Sequence, residues 1–134
     1  MSFSDTFNAC MERNHMPAPQ ELFSGKTLKE ALEILDQIHD ALDNAGGVEV
    51  TLGALASLGP SLGLAESGVE VVGVLGAAAA DLTAGLYLSN AIQCAAYSAV
   101  RSALTADLEG APDGYAKEQV TLALNDIPQD SAQA

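Results

Sequence analysis

Between Lys29 and Arg101 the chain carries no lysine or arginine, and from residue 48 to 108 almost every position is apolar or small. Such a stretch has too few polar side chains to give each helix a solvated face, so its helices must bury against one another or against lipid. Small residues recur in it at helical spacing. One row runs Gly68, Val72, Gly76, Ala80 and Ala84, a second runs Gly73, Ala77, Asp81, Gly85 and Ser89, and Ala91, Ala95, Ala99 and Ala103 follow at strict four-residue intervals. Residues four apart stack on one side of a helix, so each row is a surface on which another helix backbone can approach closely.

The rest of the composition sharpens this constraint. Aromatic residues make up 4 % of the 134 residues and tryptophan is absent, so the area that aromatic side chains usually bury must be replaced by close helix-to-helix contact. The formal net charge is -13, a field that repels phosphate backbones and excludes nucleic acid as a partner. The acids are concentrated in the flanks. The chain therefore divides into an acidic amphipathic helical part over 1–47, the Gly/Ala-rich core over 48–108 and an acidic C-terminal helix and tail over 109–134, within one domain.

Local signals place the helices. Residues 2–13 form a short helix with Phe3, Phe7, Cys10 and Met11 on one face, ended by the loop holding Pro17 and Pro19. Thr27-Leu28-Lys29-Glu30 fits a capping box. The helix it opens carries an apolar stripe through Leu28, Leu32, Leu35, Ile38 and Leu42, and Asn44-Ala45-Gly46-Gly47 stops it. Further helices are expected over about 48–58, 61–79 and 82–108, with Pro60 in a first turn and Asp81 as the cap of the third. A strand at Val69–Val74 is the weaker reading, because the alanine run after it favours helix. A last helix covers about 115–126, and the residues from Pro128 on are expected to be disordered. The fold class is all-α, a compact bundle of five or six helices with the pair 61–79 and 82–108 at its centre.

Catalytic and metal chemistry find little support. Cys10 and Cys94 have no paired-motif spacing, so neither a zinc site nor a disulfide framework is read from them, and a reducing origin is favoured. Cys10 with His15 or His39 lacks an orienting third group. His39 sits on the edge of an apolar stripe as a packed histidine, His15 is a loop residue, and Glu66 and Glu70 one turn apart read as a solvated face. No catalytic residue, metal ligand or cofactor is assigned, and an enzyme is not expected. The N-terminus lacks a basic region followed by an apolar run, so no secretory signal is read.

The window 71–89 decides the membrane question. It supplies nearly the roughly 20 apolar residues a spanning helix requires. Its apolar side chains gain roughly 3 kcal/mol on insertion while Asp81 near the middle costs about 3 kcal/mol. A balance near zero describes a segment that is soluble when its small faces pack on each other and enters lipid conditionally. The literal Gly59-x-x-x-Gly63, the rows through Gly68/Gly76 and Gly73/Gly85, and the lack of aromatic and basic residues resemble the glycine-zipper segments of small antibacterial membrane-permeabilising toxins. Among these the chain is most similar to signal-less effectors carried inside the tube of the bacterial type VI secretion system. The resemblance implies a pore-forming toxin that is cytoplasmic before delivery. It further implies a target-cell membrane, a homo-oligomer when inserted, and a secretion-tube protein and a cognate immunity protein as partners. Gly59, Gly63, Gly68, Gly73, Gly76, Ala80 and Gly85 would associate the helices, and Asp81 would line the pore or cap a helix. A different resemblance, Gly46-Gly47 as the end of a bacteriocin leader, is opposed by Asn44 where such leaders carry an apolar residue. The alternative function is a soluble acidic helical adaptor or immunity-type interaction protein.

Overall fold

The computed structural model describes residues 3–17, 27–47, 49–58, 61, 66–102, 104–111 and 113–125. These form seven helices and one isolated antiparallel bridge, with no strand among the described residues. The helices are α1 (Phe3–Arg13), α2 (Leu28–Ala45), α3 (Leu52–Leu58), α4 (Glu66–Ala78), α5 (Ala84–Arg101), α6 (Thr105–Glu109) and α7 (Tyr115–Leu124). The all-α class is as read from the sequence, with more helices than expected.

The first two helices form where local chemistry dictates. α1 buries Phe3, Phe7, Cys10 and Met11, and it ends with His15 at φ 60 while the Met16 amide donates to the Met11 carbonyl at 2.9 Å. That is a left-handed cap closing the helix before the prolines act. At α2 the capping box is present: the Glu30 amide donates to Thr27 Oγ1 at 3.2 Å and the Thr27 amide to Glu30 Oε1 at 3.1 Å. The stripe Leu28, Leu32, Leu35, Ile38 and Leu42 is buried. Gly46 and Gly47 take φ 120 and φ 110, a region that L side chains rarely adopt, and stop the helix as expected.

The central stretch departs from expectation. α2 and α5 share the centre: α5 contacts α1, α2, α6 and α7, α2 contacts every helix from α3 to α7, and Ala91, Ala95 and Ala99 of α5 are fully buried. A row of methyl groups on α5 lets several helices crowd onto it. α4 instead pairs with α3 and leans on α2. The expected helix 82–108 ends at Arg101, and Thr105–Glu109 is a separate helix. The expected helix 48–58 begins only at Leu52, and Val69–Val74 lies within α4 and not in a strand. Pro60, Ala103 and the tail beyond residue 125 lie outside the described residues.

Asp81 is not a helix cap. It is exposed in the turn between α4 and α5, and Thr83 caps α5 by accepting from the Leu86 amide at 3.4 Å. The turn is fixed by pairing to the entry of α3: the Ala84 amide donates to the Val50 carbonyl at 2.7 Å and the Leu52 amide to the Leu82 carbonyl at 2.8 Å. Thr51 and Thr83 thus face each other as a bridge pair, and Thr51 Oγ1 accepts from the Ala54 amide of α3 at 3.2 Å. Chain geometry at this point demands non-helical residues, so the cap falls on the threonine after it. Thr83→Ala should cost about 1 kcal/mol of stability, while Asp81→Ala should cost less than about 0.5 kcal/mol, a difference that thermal melts of the two variants will resolve.

A second cap comes from a distance. α7 has no side-chain cap of its own. The Ala116 amide instead donates to Asp36 Oδ1 of α2 at 2.7 Å, and a Cβ on Gly114 would lie 2.7 Å from Asp36 Oδ2. The carboxylate fills the space a side chain would occupy, so Gly114 keeps α7 in register on α2. The two cysteines provide the remaining long-range tie: Cys10 of α1 and Cys94 of α5 form a disulfide with their Cα atoms 5.6 Å apart. No disulfide is read from their spacing, and the bond stands against the reducing origin that the sequence favours. Helix packing, and not sequence spacing, brings them together.

Candidate functional site: the small-residue hairpin

The α3–α4 hairpin concentrates the small residues. A Cβ built on Gly76 would lie 2.7 Å from the Ala56 Cβ and 3.0 Å from the Leu52 carbonyl oxygen. A Cβ on Gly53 would lie 3.0 Å from both the Cβ and the carbonyl oxygen of Ala80. Neither neighbour pair includes a flexible side-chain end, so glycine at both positions is what allows the two backbones to meet. The row through Val72, Gly76 and Ala80 is therefore an association face, used here within the chain. Its partner face on α3, formed by Leu52, Gly53 and Ala56, lies outside both sequence rows. The signal for it was Gly53 and Ala56 three apart beside a buried leucine.

The second row behaves differently. Gly73, Ala77 and Asp81 are exposed, and nothing lies within 4 Å of a Cβ built on Gly73. Val74, 38 % exposed, and Ala78 extend this outward face. The row does not continue to Gly85 and Ser89, because the 79–83 turn rotates α5 away; both of those residues line a separate cleft. Gly68 lies within α4, and Gly59 and Gly63 lie outside the described residues. Four of the seven expected association residues thus divide: Gly76 and Ala80 are engaged with α3, Gly73 faces outward, and Gly85 belongs to another surface.

That other surface is a cleft of about 450 Å³ between α2, α5 and α7. At one end the His39 and Tyr115 rings stack with centroids 3.6 Å apart and planes within 8°, and His39 Nε2 is 3.5 Å from an Asp43 carboxylate oxygen. His39 is thus half-buried at the edge of the core. Burial, then the negative charge of Asp43, raises the Tyr115 phenol above its ordinary range. Tyr87, a fully buried residue of α5, is likewise pushed up by burial.

Nucleophilic chemistry on Cys10 is closed off by its disulfide, and His15 is exposed in its own turn. Among the described residues no group of three or more His, Cys, Asp or Glu side chains is placed to hold a metal ion, and no helix is long and apolar enough to cross a membrane. No protein-family model, curated protein or solved structure matches the chain.

Proposed function

We propose that the protein is an antibacterial toxin that permeabilises a target-cell membrane to ions through association of small-residue helix faces. The observation that carries this reading is the double-faced α4: one small-residue face is spent on α3, and the other, with Gly73, Val74 and Ala77, remains open beside a hairpin free of lysine and arginine. An exposed glycine in mid-helix costs about 1 kcal/mol relative to alanine, and the fold gains nothing from Gly73 in return. Helix association in lipid supplies the missing use.

Insertion requires a rearrangement. α4 spans 13 residues, about 20 Å at 1.5 Å per residue, against a hydrocarbon core of about 30 Å. The 79–83 turn must become helical, joining α4 to the start of α5 and bringing the window 71–89 to spanning length. Asp81 then moves from solvent to the middle of a spanning segment, where converging copies favour cations. The Cys10–Cys94 disulfide suits an oxidising compartment and so favours action outside the cytosol, after delivery by a secretion tube and subject to neutralisation by an immunity protein.

The test separates association from folding. Gly73→Leu meets open space in the soluble form, so its circular dichroism should match wild type and its melting should be no lower, while dye release from liposomes falls at least about tenfold. Full release by a folded Gly73→Leu protein would remove the zipper, and absence of release by wild type would remove the toxin reading. Targeting to the bacterial periplasm should inhibit growth far more than cytosolic expression does.

A second reading, an acidic adaptor, is favoured by α2, whose Glu33, Asp40 and Asp43 are exposed with Lys29 as that helix's only lysine or arginine. It calls for a stable complex with a basic protein and no leakage.

A further inference from the structure

The cleft between α2, α5 and α7 combines three features. Its floor is apolar, formed by Leu42, Leu88, Ile92 and Ala123, and Leu122 stands at its edge 55 % exposed, the most exposed large hydrophobic side chain among the described residues. Its rim offers neutral hydrogen-bonding groups on Ser89, Gln93 and Gln119. Its charge has one sign: Asp43 lines it, no lysine or arginine does, and Asp40 is exposed one turn back on α2.

Its shape also carries information. The α5 contributions run from Gly85 to Gln93, about two helical turns or some 12 Å. A groove of that length matches apolar side chains presented at i, i+3, i+4 and i+7 by a bound helix. An occupant with acidic flanks would be repelled by a chain of net charge -13. One with lysine or arginine beside its apolar stripe places a cation against Asp43, and the long stems of such residues cover Leu122.

We infer that this cleft is the docking surface for a basic amphipathic helix of a partner protein, with Leu122 as the apolar anchor and Asp43 as the charged one. The inference does not rest on membrane activity, since the cleft lies on α2, α5 and α7 and not on the hairpin. Docking orders a partner against a preformed groove. It would hold in the same way whether the partner escorts the protein or neutralises it.

The chain has no tryptophan, which allows a direct test. The probe is a synthetic lysine/leucine amphipathic helix with one tryptophan on its apolar face, titrated with the full-length protein at physiological salt. A control peptide has the same composition, scrambled so that no apolar face forms. The expected result is a saturable blue shift for the amphipathic peptide and at least about tenfold weaker binding of the scrambled one. Leu122→Gln and Asp43→Asn should each weaken the first peptide about tenfold, in line with loss of one buried leucine contact or one charge-assisted contact. Leu58→Gln and Asp107→Asn, on α3 and α6 away from the cleft, should leave it unchanged. Equal binding of the two peptides would reduce the effect to bulk charge and overturn the inference. So would folded Leu122→Gln and Asp43→Asn proteins that bind like wild type.

Discussion

Reduction of the Cys10–Cys94 disulfide should lower the free energy of unfolding by about 3 to 4 kcal/mol. The two cysteines are separated by 84 residues, and closing a loop of that length removes denatured-state entropy worth up to about 4.6 kcal/mol in the chain-entropy model. Part of that gain is offset by residual compactness of the unfolded chain. The bond joins α1 to α5, so the oxidised and reduced proteins share most of their native contacts and differ chiefly in the unfolded ensemble. Urea titrations with and without reductant should differ in midpoint by about 1.5 to 2 M, given a slope near 2 kcal/mol/M for a chain of this size. Coincident curves, with thiol titration showing the bond intact in one sample and broken in the other, would show that the pairing contributes nothing.

Gly76→Leu is the second large effect, about 3 kcal/mol or more of destabilisation. Even the first atom of the new side chain collides with the Ala56 methyl group and the Leu52 carbonyl oxygen, and backbone cannot yield as a flexible side chain does. The remaining atoms must push α3 from α4, which loosens the contact that buries Leu52, Leu55, Val72 and Leu75. Alanine variants at the two glycines should give opposite signs. Gly76→Ala should destabilise by about 1 to 2 kcal/mol after its helix-propensity gain. Gly73→Ala should stabilise by up to about 1 kcal/mol because its surroundings are open. Thermal melts that moved in the same direction for both alanine variants would contradict the assignment of one face to packing and the other to solvent. The pair also shows why Gly76 is the poorer probe of membrane association: its replacement damages the soluble fold first.

What the sequence discloses follows from the range of the interactions. α2 is legible end to end because its capping box spans four residues, its stripe repeats every turn and its glycines stop it on the spot. α1 is legible from its apolar face alone, since its stop is the left-handed His15 and not the prolines. In the 48–108 stretch nearly every residue is tolerable on either face of a helix, so the pattern cannot say which helix packs on which. The pairing of α4 with α3 was decided by Gly53 and Gly76 fitting against backbone, a property of three-dimensional approach. Asp36 looks like one of several solvent-facing acids, and its bond to the Ala116 amide comes from 80 residues away. The cysteines and the Thr51–Thr83 pair are likewise non-local. Of the candidate site, the small-residue character was legible; which of its members face inward was not.

The Thr51–Thr83 bridge has an architectural corollary. Opposed residues of this kind, flanked by and not sharing hydrogen bonds, hold their Cα atoms about 4.5 Å apart, so everything between them departs from and returns to a single point of the chain. The hairpin is in that sense a cassette. A two-residue Asn-Gly turn, the connection that joins antiparallel partners most readily, would close the gap if residues 52–82 were cut out, leaving α1, α2, α5, α6 and α7 tied by the disulfide and the Asp36 contact. The excised protein would expose the part of α2 that α3 and α4 now cover and would need polar replacements there. Conversely, the same cassette could be grafted between two antiparallel-paired residues of an unrelated scaffold without lengthening the path between them.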